Sequence, residues 1–349
     1  MLPPMYARIL IVFAVACGGD PVDLKEPKGE PCPTGTCLEA TLAETSIDAF
    51  SERDGMCLSH TLDNDEALYV NAVTAYNEGA FHHSNWFWVP EDQWDLPDGE
   101  WDCSANDFTE LAAALSGGVI FAQSTQVLEE TQQFLPGVAV KVGKRARIIA
   151  AAHLLNPTAE KVETEMRFRF DLLEEDEVEV SLAPIRFTYF DLDIPSGSDT
   201  DHSGRCDLSE RYESVGGSPY DMKLHYVLSH FHGLGTGFQL SVDGGPRDGE
   251  VLFEQRDAYG HQLGQTFEEP IDLSGSNGLR MSCFHTNETD ESVGWGIGDQ
   301  EMCVMLGFVD STTLFDMTVS ETLDRGEEGA TLTRSGDCEV LAVPFDFLD

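Results

Sequence analysis

Glu165-Met166-Arg167-Phe168-Arg169-Phe170 puts an apolar side chain at every second position. A period of two is that of a strand with one buried face; a helix would repeat near 3.6. Similar short runs recur at Ile185-Arg-Phe-Thr-Tyr-Phe190, Gly137-Val-Ala-Val-Lys-Val142 and Arg147-Ile-Ile-Ala-Ala-Ala-His153, broken by Gly, Pro, Asn and Asp. Only residues 106–115, opening on Asn106 as a cap, have helical spacing. Many short strands between frequent turn signals predict an all-β chain, built as two tandem antiparallel, jelly-roll-like β-sandwiches. The acidic stretch 172–180 marks a seam, so the expected domains are 41–183 and 184–349.

Of 349 residues, 63 are acidic and 20 basic, a formal charge of −43. Such a surface excludes nucleic acid and docking to anionic lipid through a basic face, since both need clustered positive charge. Residues 1–17 read as an export signal: Arg8, then an apolar run from Ile9 to Ala16 that is too short for a membrane span of about twenty residues. Ala14-Val-Ala-Cys17 resembles a bacterial lipobox with Cys17 as the lipidated residue; the alternative is an ordinary secretory signal. The lipobox reading implies an exported chain, lipid-anchored at the bacterial cell envelope in the periplasm or at the cell surface, and touching membrane only through that anchor. Residues 18–40, rich in Pro, Gly, Lys and Glu, then read as a flexible tether. With Cys17 set aside, eight of the nine cysteines remain, an even number suited to four disulfides in an oxidising compartment.

The histidines carry the chemistry. His230-Phe231-His232 on a strand would present both imidazoles on one side. His82 and His83 are adjacent and would diverge in a regular strand, so convergence there needs a bulge. His153 ends an apolar strand, and Met302, beside Cys303, offers a thioether, a soft ligand that favours Cu(I). His60, His225, His261 and His285 lack partners at metal spacing. Asp199 to Glu210 has the spacing of a calcium loop, but Pro195 just before it leaves no entering helix.

In the order His82-His83, Ala152-His153-Leu-Leu-Asn-Pro157, His230-Phe-His232-Gly-Leu-Gly235 and Asp299-Gln-Glu-Met302-Cys303, the chain resembles the copper type II, ascorbate-dependent monooxygenases. This family includes peptidylglycine α-hydroxylating and dopamine β-monooxygenase, and the resemblance spans about residues 52–310. It implies an electron-supplying copper on His82, His83 and His153, and an oxygen-binding copper on His230, His232 and Met302. It also implies the disulfides Cys57–Cys103 and Cys283–Cys303; Cys206–Cys338 and Cys32–Cys37 then pair the remainder. The implied reaction is hydroxylation of an aliphatic C–H with O2, with ascorbate or a similar small reductant supplying electrons.

The chain departs from the peptide-hydroxylating pattern at Leu228, Val304 and Leu306, where that member carries Arg, Asn and Tyr for the substrate carboxylate. Together with the −43 charge, these residues predict a small neutral or cationic, fairly apolar substrate. Trp86, Trp88, Trp94 and Trp101 read as core packing, with a cavity entrance as the alternative. Two other functions fit the residues: a non-catalytic copper-binding or copper-storage lipoprotein, and a sugar- or partner-binding double sandwich with vestigial histidines.

Overall fold

The computed structural model describes residues 32, 35–216, 219–256, 260 and 262–344. The expected signal, the lipidation site Cys17 and residues 18–31 of the tether lie outside the described residues. The described residues form one compact unit.

The chain is all-β. The alternation at 165–170 is realised in the strand Met166–Leu173, where Met166, Phe168 and Phe170 are buried. Its outward arginines pair with acids: Arg167 with Glu39 and Arg169 with Asp171. Each such phenylalanine removed from water contributes roughly 1.5–3 kcal/mol. The strand Cys37–Thr41 runs antiparallel to it, with Leu38 opposite Phe170. Residues 37–40, expected to be tether, therefore belong to a paired strand.

Strands Leu68–Asn77 and Met166–Leu173 share one core with a five-stranded sheet. That sheet runs in the order Gly99–Asp102, Ser51–Thr61, Ala146–Asn156, Phe81–Pro90, Gly118–Gln123. Trp86 and Trp88 lie in this core, and Trp94 and Trp101 pack on Phe108. A second core, including Phe187, Phe238, Met281 and Phe315, lies between a six-stranded sheet and the strands Val180–Tyr189, Lys223–His230, Val304–Asp310 and Thr313–Val319.

The strand Val180–Tyr189 serves both halves. Val180 and Ser181 pair in parallel with Val138 and Ala139, and from Leu182 onward the strand pairs antiparallel with Val304–Asp310. One eleven-stranded sheet thus crosses the expected boundary at 183. A small core of Phe134, Val138, Tyr226, Leu228 and Phe308 seals the crossing.

Two helices are present among the described residues. Glu110–Ser116 is capped by Thr109, whose hydroxyl accepts the Ala112 N–H at 3.1 Å. The expected cap Asn106 instead ends a short 3-10 turn, and Asp107 turns left-handed at φ 54° before the helix starts. The second helix, Ser209–Gly216, was not anticipated. The calcium-loop spacing falls largely on an extended strand, Ser198–Asp207. Four disulfides are formed, Cys32–Cys37, Cys57–Cys103, Cys206–Cys338 and Cys283–Cys303, matching every expected pairing.

Candidate metal centre

His83 faces His153 across the strands Phe81–Pro90 and Ala146–Asn156. The next pair is Phe81 with Leu154, so His82 is an extra residue on its strand: the bulge that two adjacent histidines need in order to converge. The ring centroids of His82 and His83 are 5.1 Å apart, and those of His83 and His153 are 4.3 Å apart.

In the other half, His230 is the last residue of its strand and His232 lies beyond it in the turn. The expected same-face strand pair is therefore replaced by a turn, which still brings the rings to 5.0 Å. Gly235 makes the turn possible: a Cβ there would meet the Phe231 ring at 2.2 Å.

The two sets are in contact. His83 lies 4.6 Å from His230 and 5.4 Å from His232, centroid to centroid. Nitrogens of His83, His230 and His232 all fall within 4.8 Å of one another. Sequence spacing divided the five histidines between two sites, whereas the fold gathers them into one cluster. Met302 lines a cavity with His83, His153 and His230.

Hydrogen bonds fix which ring nitrogens are free. Ser124 donates its single hydroxyl proton to the Ser229 carbonyl at 2.8 Å, so its oxygen accepts His230 Nδ1–H at 3.0 Å. The Gln300 carbonyl accepts His232 Nδ1–H at 2.8 Å. Both Nε2 atoms then carry lone pairs, and both are buried without a hydrogen-bond partner. Glu52 accepts His153 Nε2–H at 2.6 Å, which leaves His153 Nδ1 as the acceptor toward His83 Nε2, also at 2.6 Å. Carbonyl and carboxylate partners of this kind orient imidazoles for a metal ion.

Burial favours the neutral form of His82, His83, His153 and His230. It lowers His82 to about 4 and His230 to about 3, with neighbouring histidines adding to the effect. His83 falls well below its ordinary value through burial and then His230; His153 falls less, because Glu52 opposes the desolvation. A neutral imidazole can give its lone pair to a metal ion at neutral pH, and His230 Nε2 is neutral and unpartnered.

Glu301, 1% exposed, ties the turn to the methionine. Its carboxylate accepts the backbone N–H of His232 at 2.8 Å, of Leu234 at 2.7 Å and of Met302 at 3.1 Å. Glu301 stood beside Met302 in the motif, but nothing in the sequence signalled this use. Ser124 and Glu52 are about a hundred residues from the rings they orient, and no local pattern marks them.

The cluster separates two cavities. The smaller, about 390 Å³, holds Met302, Val304 and Leu306 with Phe190, Trp295 and Ile297. Leu228, expected beside them, is fully buried in the seam core instead. Arg186, also at this cavity, gives Nε and Nη2 to Asp316 at 2.8 and 2.9 Å, and Asn85 donates to Glu110. The aromatic wall is Trp295 against Phe190, 4.5 Å apart, rather than any of the earlier tryptophans. The larger cavity, about 900 Å³, is lined by His82, His153 and His232 and by mostly polar side chains.

No family model matches the chain, and no curated protein matches it. Among solved structures it is distantly similar to the PBSX exported protein XepA, at 9% identity over 78% of this chain and 86% of that one, with a TM-score of 0.21. PBCV-1 VP54, fitted into a reconstruction of the virophage Sputnik, gives 6% identity, 81% and 96% coverage and a TM-score of 0.26. The Gx strain of infectious bursal disease virus gives 8%, 82% and 76%, and 0.18. Scores this low carry no argument about fold or function.

Proposed function

We propose that the chain is a copper-dependent monooxygenase that hydroxylates an aliphatic C–H with O2, on two tandem jelly-roll-like halves of the copper type II, ascorbate-dependent kind. In this reading the exported protein is anchored through Cys17. The observation that carries it is the set of five imidazoles and one methionine brought together from both halves. The donor set fits copper: His230 and His232 present unpartnered Nε2 atoms, and Met302 adds a soft sulfur at the cavity it shares with His230.

His82, His83 and His153 would hold one ion, and His230, His232 and Met302 the other. Copper bound there supplies one-electron redox chemistry and a place for O2 to react. Glu52, Ser124 and the Gln300 carbonyl hold the rings in the ligating tautomer, and Glu301 holds Met302 against the His232 turn. Val304, Leu306, Phe190 and Trp295 give the smaller cavity an apolar wall beside Met302, which suits an unactivated C–H. The Arg186 charge is already matched by Asp316 and by Glu110, 4.0 Å away, which disfavours recruitment of a substrate carboxylate. A small neutral or cationic, apolar substrate fits this wall. The contact between the two histidine sets keeps the path for electron transfer between them short.

The test is metal analysis followed by oxygen uptake. Wild type is expected to take up two copper ions per chain, and Met302→Ala to weaken one of them, with the Cu–S feature lost from the X-ray absorption spectrum. Copper-loaded protein with a reductant should consume O2 above background across a panel of apolar substrates. Copper binding with no O2 uptake would instead identify a copper-holding protein. A single zinc ion and no copper would remove the reading.

A further inference from the structure

The cavity opposite Met302 has a composition of its own. It is the larger of the two, about 900 Å³, and it reaches His82, His153 and His232 from the side away from Val304 and Leu306. Its charged walls are all acidic: Glu52, Glu291, Asp299 and Glu301 line it, and no Lys or Arg does among the described residues. The formal charge of the whole chain, −43, has the same sign. Thr125, 2% exposed, lines this cavity with a hydroxyl that has no hydrogen-bond partner. Val127, Leu155 and Val293 supply apolar wall in the same cavity.

Resting on the copper reading above, we propose that this cavity is the port through which electrons enter, and that it takes an uncharged dihydroxyaromatic reductant, a hydroquinone or catechol, in preference to the ascorbate anion. Ascorbate is a monoanion at neutral pH and would approach an acidic mouth against the field, with no cation to receive it. A hydroquinone is neutral, places its ring on the aliphatic wall, and offers a hydroxyl to Thr125. It carries the required two electrons and two protons. The balance is R–H + O2 + QH2 giving R–OH + H2O + Q: the O–O bond breaks, one oxygen enters the C–H bond as hydroxyl, and the other leaves as water with the two protons of the hydroquinone. The hydroquinone is oxidised to quinone, and O2 takes its two electrons together with two from the C–H bond. Substrate and reductant then occupy opposite sides of the histidine cluster and do not compete.

The experiment follows loss of the Cu(II) paramagnetic resonance signal in copper-loaded full chain without O2, after mixing with ascorbate or with 1,4-hydroquinone. Raising ionic strength is expected to speed reduction by ascorbate about three- to tenfold, through screening of like charges, and to change the hydroquinone rate by less than about twofold. The double variant Glu291→Gln, Asp299→Asn should reproduce the gain for ascorbate at low salt and leave hydroquinone unchanged. Ser292→Trp, at the exposed rim, should slow hydroquinone about tenfold with copper content intact. An ascorbate rate indifferent to the double variant, or Ser292→Trp without effect on either reductant, overturns the port while the copper reading stands. A chain that binds no copper removes both.

Discussion

Glu130 lies on the strand Glu129–Gln133, 8% exposed, with one oxygen held by the Gly264 backbone N–H and Oε2 without a donor. Burial raises its carboxyl to about 7, and that single hydrogen bond offsets only part of the cost. The folded state therefore binds more protons than the unfolded chain between the ordinary carboxylate range and about pH 7. Stability contributed at this position falls as pH rises through that window. Glu130→Gln keeps the shape and removes the charge. It should raise the melting temperature at pH 8, by an amount equivalent to at most about 3 kcal/mol, and make little difference at pH 4. Calorimetry at the two pH values checks this; an equal gain at both would show that charge is not the cause. Nothing around Glu129-Glu130-Thr131 distinguishes the buried acid from its exposed neighbour in the sequence.

The turn from His230 to Gly235 is the element on which the second ligand set depends. It is closed from above by Glu301, from below by the Phe231 ring against Gly235, and at its flank by the Cys283–Cys303 bond next to Met302. Gly235→Ala must push Phe231 aside, and Phe231 lies between the two histidines. The expected cost is about 1–3 kcal/mol in urea unfolding, together with weaker copper binding at His230 and His232 and an unchanged first set. Loss of stability with both sites intact would show that the ring moves without carrying its neighbours. The strands Met166–Leu173 and Val180–Tyr189 were legible because alternation is a local signal that burial enforces. The start of the first helix was not: Asn106 and Thr109 are both competent caps, and the left-handed Asp107 decides between them. The His230–His232 pair was read as a strand because spacing alone does not reveal that the strand stops at His230.

Over the whole molecule, the five clustered histidines were each legible as candidates in the sequence, but the contact of His83 with His230 and His232 was not. It depends on the seam, where Val180 and Ser181 join Val138 and Ala139 and place His83 against His230. On the proposed reading, ligands drawn from both halves would let bound copper stabilise the molecule as a unit. Copper at a hundred times its dissociation constant should add about 2.7 kcal/mol per site and shift a single thermal transition upward. Two transitions, only one of them moved by copper, would contradict the shared sheet. The six-stranded sheet of the second half has a consequence for the order in which the protein can be built. The strand Thr331–Asp337, near the end of the chain, pairs in parallel with Ser198–Asp207, and Cys338 closes onto Cys206 across a separation of 132 residues. An inner position of that sheet stays empty until the last segment arrives, whereas every strand of the first half's five-stranded sheet is complete by residue 156. The sheet that carries His82, His83 and His153 can therefore close while Lys223–His230, which ends on His230, still lacks its neighbour Val304–Asp310.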